Sequence, residues 1–151
     1  MATMYLQQIG TTVRAFESDD FDAVMQVETA AFKRPWSDEM MIRHLCCMST
    51  EVLVIKRGSA LLGYVLYSER ADHMFVHRIA VSYPLCGYGG TLMSDVKRRN
   101  ITSGRKYVDT LVDERDLNSQ KFLSHVGFKA IDIMRGDDGD QYLFRHIRGG
   151  R

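Results

Sequence analysis

Three glycines within four residues, Gly87, Gly89 and Gly90, stand between an apolar segment, Phe75–Val81, and a segment of helical spacing, Thr91 to Thr102. A strand that feeds a glycine-rich turn at a helix N-terminus is suited to holding phosphate. The first N–H groups of a helix have no acceptor within it, and the helix dipole adds partial positive charge there. Glycines let the chain turn tightly and let an anion approach the backbone with no Cβ in the way. Taken alone, such a turn is equally compatible with a plain strand-to-helix connection that needs positive φ. No Lys-Ser/Thr pair follows the glycines and no parallel βαβ repeat surrounds them, which argues against a Walker-type nucleotide site. Cys46, Cys47 and Cys86 show neither metal-ligand spacing nor a disulfide framework; they read as reduced thiols, and no metal site is expected. Cys86 lies in the turn, but no Cys–His pairing supports an acyl-enzyme.

The 151 residues suit a single domain large enough for one real core. The chain is 45% hydrophobic and 26% charged, and 20 basic against 19 acidic residues leave a formal net charge of +1. That balance makes no case for nucleic acid or a membrane surface as partner. No apolar run has the length of a spanning helix and no signal peptide opens the sequence, so a cytoplasmic protein is expected. The nine methionines read as core filler.

The elements that would position the turn follow from periodicity and breakers. Residues 1–11 read as a loose leader, and Val13–Phe16 as a short strand. Ser18 is the expected N-cap of a helix that runs to about Phe32, with Asp19 and Asp20 at its positive end. Pro35 ends it, because the residue before a proline disfavours helix. Ser37 then caps a second helix through Leu45, on which His44 reads as an ordinary helix residue. Glu51–Ile55 and Leu61–Ser68 form a hairpin around Arg57-Gly-Ser59, and Phe75–Val81 is the strand before the glycines. Lys97, Arg98 and Arg99 read as a solvated face near the negative end of the following helix. Lys106–Val112 is a strand, and a short helix from Asp116 stops at Gly127. Phe128–Met134 and Gln141–Ile147 make a last hairpin, and Arg148–Arg151 is a loose tail. The order is β-α-α-β-β-β-α-β-α-β-β. The expected fold class is α/β (α+β), with a mixed, mostly antiparallel sheet of six or seven strands flanked by about four helices.

Three stretches carry a family resemblance. Pro84-Leu-Cys-Gly87-Tyr-Gly89 falls in the frame Gln/Arg-x-x-Gly-x-Gly/Ala and is followed by apolar Leu92-Met93. Arg34-Pro-Trp-Ser-Asp-Glu39 follows the first helix, and Phe122-Leu-Ser-His-Val-Gly127-Phe128 ends the last one. In that order and on those elements, the chain resembles the GNAT superfamily of acyl-CoA-dependent N-acetyltransferases over about residues 12–147, most closely the RimI-type branch that acetylates protein N-termini. The resemblance implies a GNAT fold with acetyl-CoA as co-substrate. Its diphosphate would lie on the backbone of Cys86, Gly87, Tyr88, Gly89, Gly90 and Thr91. Its pantetheine arm would pair with Ile79, Ala80 and Val81, between strands four and five that splay apart. Asp116, Asn118 and Phe122 are implied on the cofactor's other flank.

The implied chemistry deprotonates a primary amine and leaves a thiolate to be protonated. An N-terminal amine, with a pKa of about 8, needs less help from a base than a lysine at about 10.4. Positioning and a backbone oxyanion donor can supply much of the rate. The sequence departs from the family pattern at instructive points. Pro84 stands where Gln or Arg is usual, Cys86 where an Arg often precedes the glycine, and the turn is about two residues short. Leu123 occupies the place of the family's tyrosine acid. The replacements that suggest themselves are His77, on the same side of its strand as Ile79 and Val81 by alternation, Glu114 after strand five, and Tyr142 on the last strand. Tyr88 reads as a lid over the cofactor or a surface aromatic. The acidic turn Asp137, Asp138, Asp140 reads as solvated turn chemistry that can also draw in a cationic amine. The expected function is acetyl transfer to a primary amine, first a protein or peptide N-terminus. The alternatives are a polyamine-like small amine or an acyl-CoA-binding module without turnover, in a monomer or homodimer.

Overall fold

Val52, Leu53, Val54 and Ile55 are all buried, so the strand that carries them is covered on both faces. That pattern places it inside a sheet with helices above and below. The structure, a computed structural model, describes residues 10–148. Its strands are β1 (Thr11–Ala15), β2 (Thr50–Arg57), β3 (Ala60–Glu69), β4 (His73–Val81), β5 (Tyr107–Asp113), β6 (Lys129–Met134) and β7 (Gln141–Ile147). They form one seven-stranded sheet in the order β1-β2-β3-β4-β5-β7-β6. Every neighbouring pair is antiparallel except β4 and β5. The helices are α1 (Phe21–Ala31), α2 (Asp38–Leu45), α3 (Tyr88–Thr102) and α4 (Leu117–His125). The expected mixed sheet and helix count are therefore present. None of these helices is long and apolar enough to cross a membrane.

Two cores follow from the two faces. Leu53 and Ile55 join Leu92, Met93 and Val96 of α3 and Leu123 of α4, whereas Val52 and Val54 join Val24 and Val27 of α1 and Met41 of α2. Burying a side chain of this size contributes about 1.5–3 kcal/mol, so the α3 stripe seats that helix firmly against the sheet. Its first turn, where the glycines lie, is thereby held at the C-terminal end of β4.

Several boundaries differ from the sequence reading. β1 begins at Thr11, inside the expected leader, and residues 1–9 and 149–151 lie outside the described ones. Ser18 does not cap α1. Ser18–Asp20 is a turn of 3-10 helix in which Glu17 and Asp20 form a reciprocal capping box, and Arg14 holds the Asp20 carboxylate at 2.7 and 2.9 Å. Ser37 caps α2 as expected, accepting from the Met40 N–H. α3 starts at Tyr88, three residues before Thr91, so the glycines belong to its first turn. Gly127, at φ +94°, follows α4 as its stop. The basic run on α3 is only partly solvated: Arg98 and Arg99 pair with Asp95, and the half-buried Lys97 ammonium donates to the Val126 carbonyl.

Gly63 on β3 lies where the backbone of β4 comes closest. A Cβ there would stand 2.7 Å from the Ala80 carbonyl oxygen and 2.8 Å from a Val81 methyl. Overpacking of this kind costs about 1–3 kcal/mol. Gly63→Ala should lower the unfolding free energy by that much, read as a fall in the urea midpoint at unchanged slope, and an unchanged midpoint would show that β4 gives way freely.

Candidate active site

β4 and β5 pair over only four residues, from His73 opposite Tyr107 to Val76 opposite Thr110. Beyond Val76 the two strands part, while β4 stays paired with β3 through Val81 opposite Gly63. Ile79, Ala80 and Val81 therefore have a strand partner on one side and none on the β5 side. Thr110 marks the fork, its buried hydroxyl donating to the Val76 carbonyl at 2.9 Å.

At the same point β4 carries a bulge. Leu66 pairs with Arg78 but Tyr67 with Val76, which leaves His77 as the extra residue. A bulge breaks the two-residue alternation, and this overturns the expected placement of His77. Ile79 and Val81 face the α3 core, whereas the His77 ring lies edge-on to His44 of α2, on the opposite face. Its Nε2 is 2.7 Å from the Ser68 hydroxyl. Burial, and then the charges of His44 and Arg70, push the imidazole down to about 4.

At the end of β4 the chain turns through Leu85, at φ +69°, and Gly87, at φ +84°. No side chain caps α3, and no acidic residue lies in its first turn. The N–H groups of Tyr88, Gly89 and Gly90 thus have no acceptor in the helix. Phe122 of α4 packs over Gly89, where a Cβ would meet its ring at 3.1 Å, and Gly90 faces open space out to Val126. Tyr88 is neither lid nor surface aromatic. It is 3% exposed and belongs to the core, so only its backbone faces outward. Cys86 packs half-buried against the same core. The Asp116 carboxylate is engaged within its own helix, as the N-cap that accepts from the Ser119 N–H and hydroxyl, whereas Asn118 is exposed on the first turn.

On the opposite face, the α1–α2 connection is anchored by a carboxylate the sequence reading passed over. Glu28 is fully buried and accepts from Arg78 at 3.0 and 2.5 Å, from the Trp36 N–H at 2.7 Å and from the Tyr64 hydroxyl. Burial works to raise this carboxyl, but those hydrogen bonds prevail and hold it below its ordinary value. Burial, and then the bond to Glu28, push the Tyr64 hydroxyl up. The Arg78 guanidinium also stacks over Phe32, at 3.7 Å, and Trp36, at 4.8 Å. A signal was present: Glu28 shares the helical stripe of Val24 and Val27, and a carboxylate in a core stripe requires a partner.

The loop so fixed forms one wall of a cleft of about 380 Å³. Arg34 comes from that loop, Asp113 and Arg115 from the end of β5, and Asp137 and Asp138 from the β6–β7 turn. Hydrogen bonds from the Arg115 side chain and N–H hold the Asp113 carboxyl far below its ordinary value. Glu114 follows β5, its N–H bonded to Asp140 and its carbonyl to Gln120. Tyr142 packs against the α3 core, on the face opposite His77. Among the described residues, no hydrogen bond or ring contact joins any two of His77, Glu114 and Tyr142. No group of three or more candidate metal ligands occurs there either.

A forked sheet, with an uncapped glycine turn at the end of its fourth strand, defines a class of acyl-group transferases. A model of the acetyltransferase (GNAT) family matches residues 21–128, and the chain belongs to that family. By sequence, none of the curated proteins matches it. Among solved structures it is similar to the ribosomal-protein-S18-alanine N-acetyltransferase of Escherichia coli (TM-score 0.81, 18% identity, covering 91% of this chain and 93% of that one). Ard1 of Thermoplasma volcanium is similar to the same degree (0.81, 16%, 92% and 98%). PaiA N-acetyltransferase of Thermoplasma acidophilum, solved with coenzyme A, follows (0.78, 16%, 92% and 99%). Family membership makes the chain an N-acetyltransferase with acetyl-CoA as co-substrate. The structure fits that group: the N–H groups of Tyr88, Gly89 and Gly90, which no helix carbonyl receives, suit a diphosphate, and the β5-side edge of Ile79 to Val81 suits an amide-bearing arm.

The His77 environment has a measurable consequence. A histidine whose folded pKa is lowered binds fewer protons than in the unfolded chain. Its contribution to stability is then complete above the ordinary 6.5 and is lost as pH falls toward about 4. The drop in melting temperature between those pH values should be smaller in His77→Gln than in the wild type. Equal slopes would mean that the ring is solvated.

Proposed function

We propose that the chain transfers the acetyl group of acetyl-CoA to the α-amine of a protein or peptide. The observation that carries this reading is the cleft between the Arg34 loop and the β6–β7 turn, on the side of the sheet where the α1–α2 connection is fixed by Glu28. It has the volume for the first residues of a chain, and its lining carries both signs of charge, Arg34, Arg115 and Arg135 with Asp113, Asp137 and Asp138, the last two exposed where an ammonium group would approach. The similarity in fold to the ribosomal-protein-S18-alanine N-acetyltransferase named above agrees with it.

In this reading acetyl-CoA supplies the activated acetyl group, and the chain's own residues bind, orient and move protons. The N–H groups of Tyr88, Gly89 and Gly90 hold the diphosphate, the Thr91 N–H implied with them being bound to the Gly87 carbonyl, and Ile79 to Val81 hold the arm, with Asn118 and Phe122 on the α4 flank. Glu114, at the end of β5 beside the cleft, is the base that receives the amine proton. His77 is engaged elsewhere, its Nε2 held by the Ser68 hydroxyl and its ring packed against those of His44 and Phe75. Tyr142, on the α3 face from which the arm enters, is the acid that returns a proton to the leaving thiolate, in place of the absent hydroxyl at Leu123.

Turnover followed by mass spectrometry on an acceptor panel tests the reading. Peptides with a free N-terminus should be acetylated at the α-amine, and N-terminally blocked lysine peptides and spermidine should not. Acetylation of spermidine alone would assign a small-molecule amine instead. No turnover despite acetyl-CoA binding would leave a binding module. Glu114→Gln should lower kcat by roughly a hundredfold, the lower end of the general-base range because the amine is only weakly basic, with the KM for acetyl-CoA unchanged.

A further inference from the structure

Helix N-termini are positive, and among the described residues a carboxylate stands at three of the four α-helices. Asp20 and Asp22 stand at the start of α1, Asp38 and Glu39 at α2, and Asp116 caps α4. α3 has none, in its first turn or at its cap. Instead it has a cation. Arg57 closes β2 two residues after Ile55, on the face that packs against α3, and its guanidinium carbon lies 5.8 Å from the ring centroid of Tyr88, the first residue of that helix. Among the described residues no carboxylate pairs with Arg57. Between Ser82 and Thr91 the turn itself contains neither Lys nor Arg. Cation–π attraction to the Tyr88 ring holds the guanidinium beside a helix start that carries no carboxylate, and leaves its N–H donors available to an anion bound there.

We propose that Arg57 is a phosphate-binding residue of the acetyl-CoA site, reaching from the β2–β3 hairpin to supply the positive side chain that the shortened turn lacks. The guanidinium presents paired N–H donors that match phosphate oxygens, and it remains charged at every physiological pH. This inference rests on the acetyl-CoA reading and adds to it a residue remote in sequence from the glycines. The ligand chemistry is a phosphate of CoA, either the diphosphate or the 3′-phosphate.

Calorimetric titration of CoA and of dephospho-CoA into the wild type, Arg57→Gln and Arg57→Lys decides it, with thermal unfolding to confirm that the variants fold. Arg57→Gln should weaken CoA about tenfold at low salt, with a smaller loss at high salt, and Arg57→Lys should fall between. A loss that persists with dephospho-CoA places the contact on the diphosphate, and one that vanishes places it on the 3′-phosphate. If both folded variants bind CoA as the wild type does, the inference is wrong while the cofactor reading stands. If the wild type binds no CoA, the cofactor reading itself falls and takes this inference with it. Should the Gln variant fail to fold, the Lys variant decides alone, an unchanged Kd counting against Arg57.

Discussion

The short parallel contact between β4 and β5 is the constraint on which the site depends. Four residues of pairing tie the two halves of the sheet together, and everything after Val76 is free to diverge. A longer pairing would close the fork and satisfy the backbone of Ile79 to Val81 from within the protein. The bulge at His77 lies at that point. Bulges bend a strand and increase its twist, so the residue that disturbs alternation also stands where the strand must leave its neighbour. α3 then returns across the sheet and packs on β2 through β5, which keeps the open ends from collapsing together.

On the other face, a different kind of interaction sets the shape of the cleft. Glu28 brings together α1, β3, β4 and the α1–α2 connection through Tyr64, Arg78 and the Trp36 N–H. A buried ion pair returns little net stability, because desolvation opposes the Coulomb attraction. Its value lies in geometry: a carboxylate that must receive four donors leaves the loop a single arrangement. Phe32 and Trp36 stack on the same guanidinium, so aromatic packing and charge select one conformation. The two halves of the reaction thus rest on different physics, unpaired backbone on the cofactor side and a saturated polar cluster on the acceptor side.

The charges around the cleft are largely spoken for. Asp113 is held by Arg115, and Arg135 by Asp140. Such exposed pairs add little to stability, but they fix the orientation of groups at the mouth and leave Asp137 and Asp138 facing solvent at its edge.

The local grammar of the sequence was a sound guide to the elements. Ser37 before a helical stripe, Gly127 after one, and apolar runs broken by Gly58-Ser59 all mark structure through interactions a few residues long, which the chain makes wherever they occur. The glycine turn was legible for the same reason: its chemistry is backbone chemistry. Tertiary packing decided the rest. Whether Tyr88 covers a ligand or joins the core depends on the core cluster it packs into, assembled from residues distant in sequence. The face His77 occupies depends on a register shift against β3, and no alternation rule within β4 contains that shift. Glu28 and Arg78 lie fifty residues apart, so each appears in the sequence as a charge without a reason until the sheet brings them together. Spacing along the chain reports what neighbours do; which distant side chain answers a buried charge is settled only when the chain has folded.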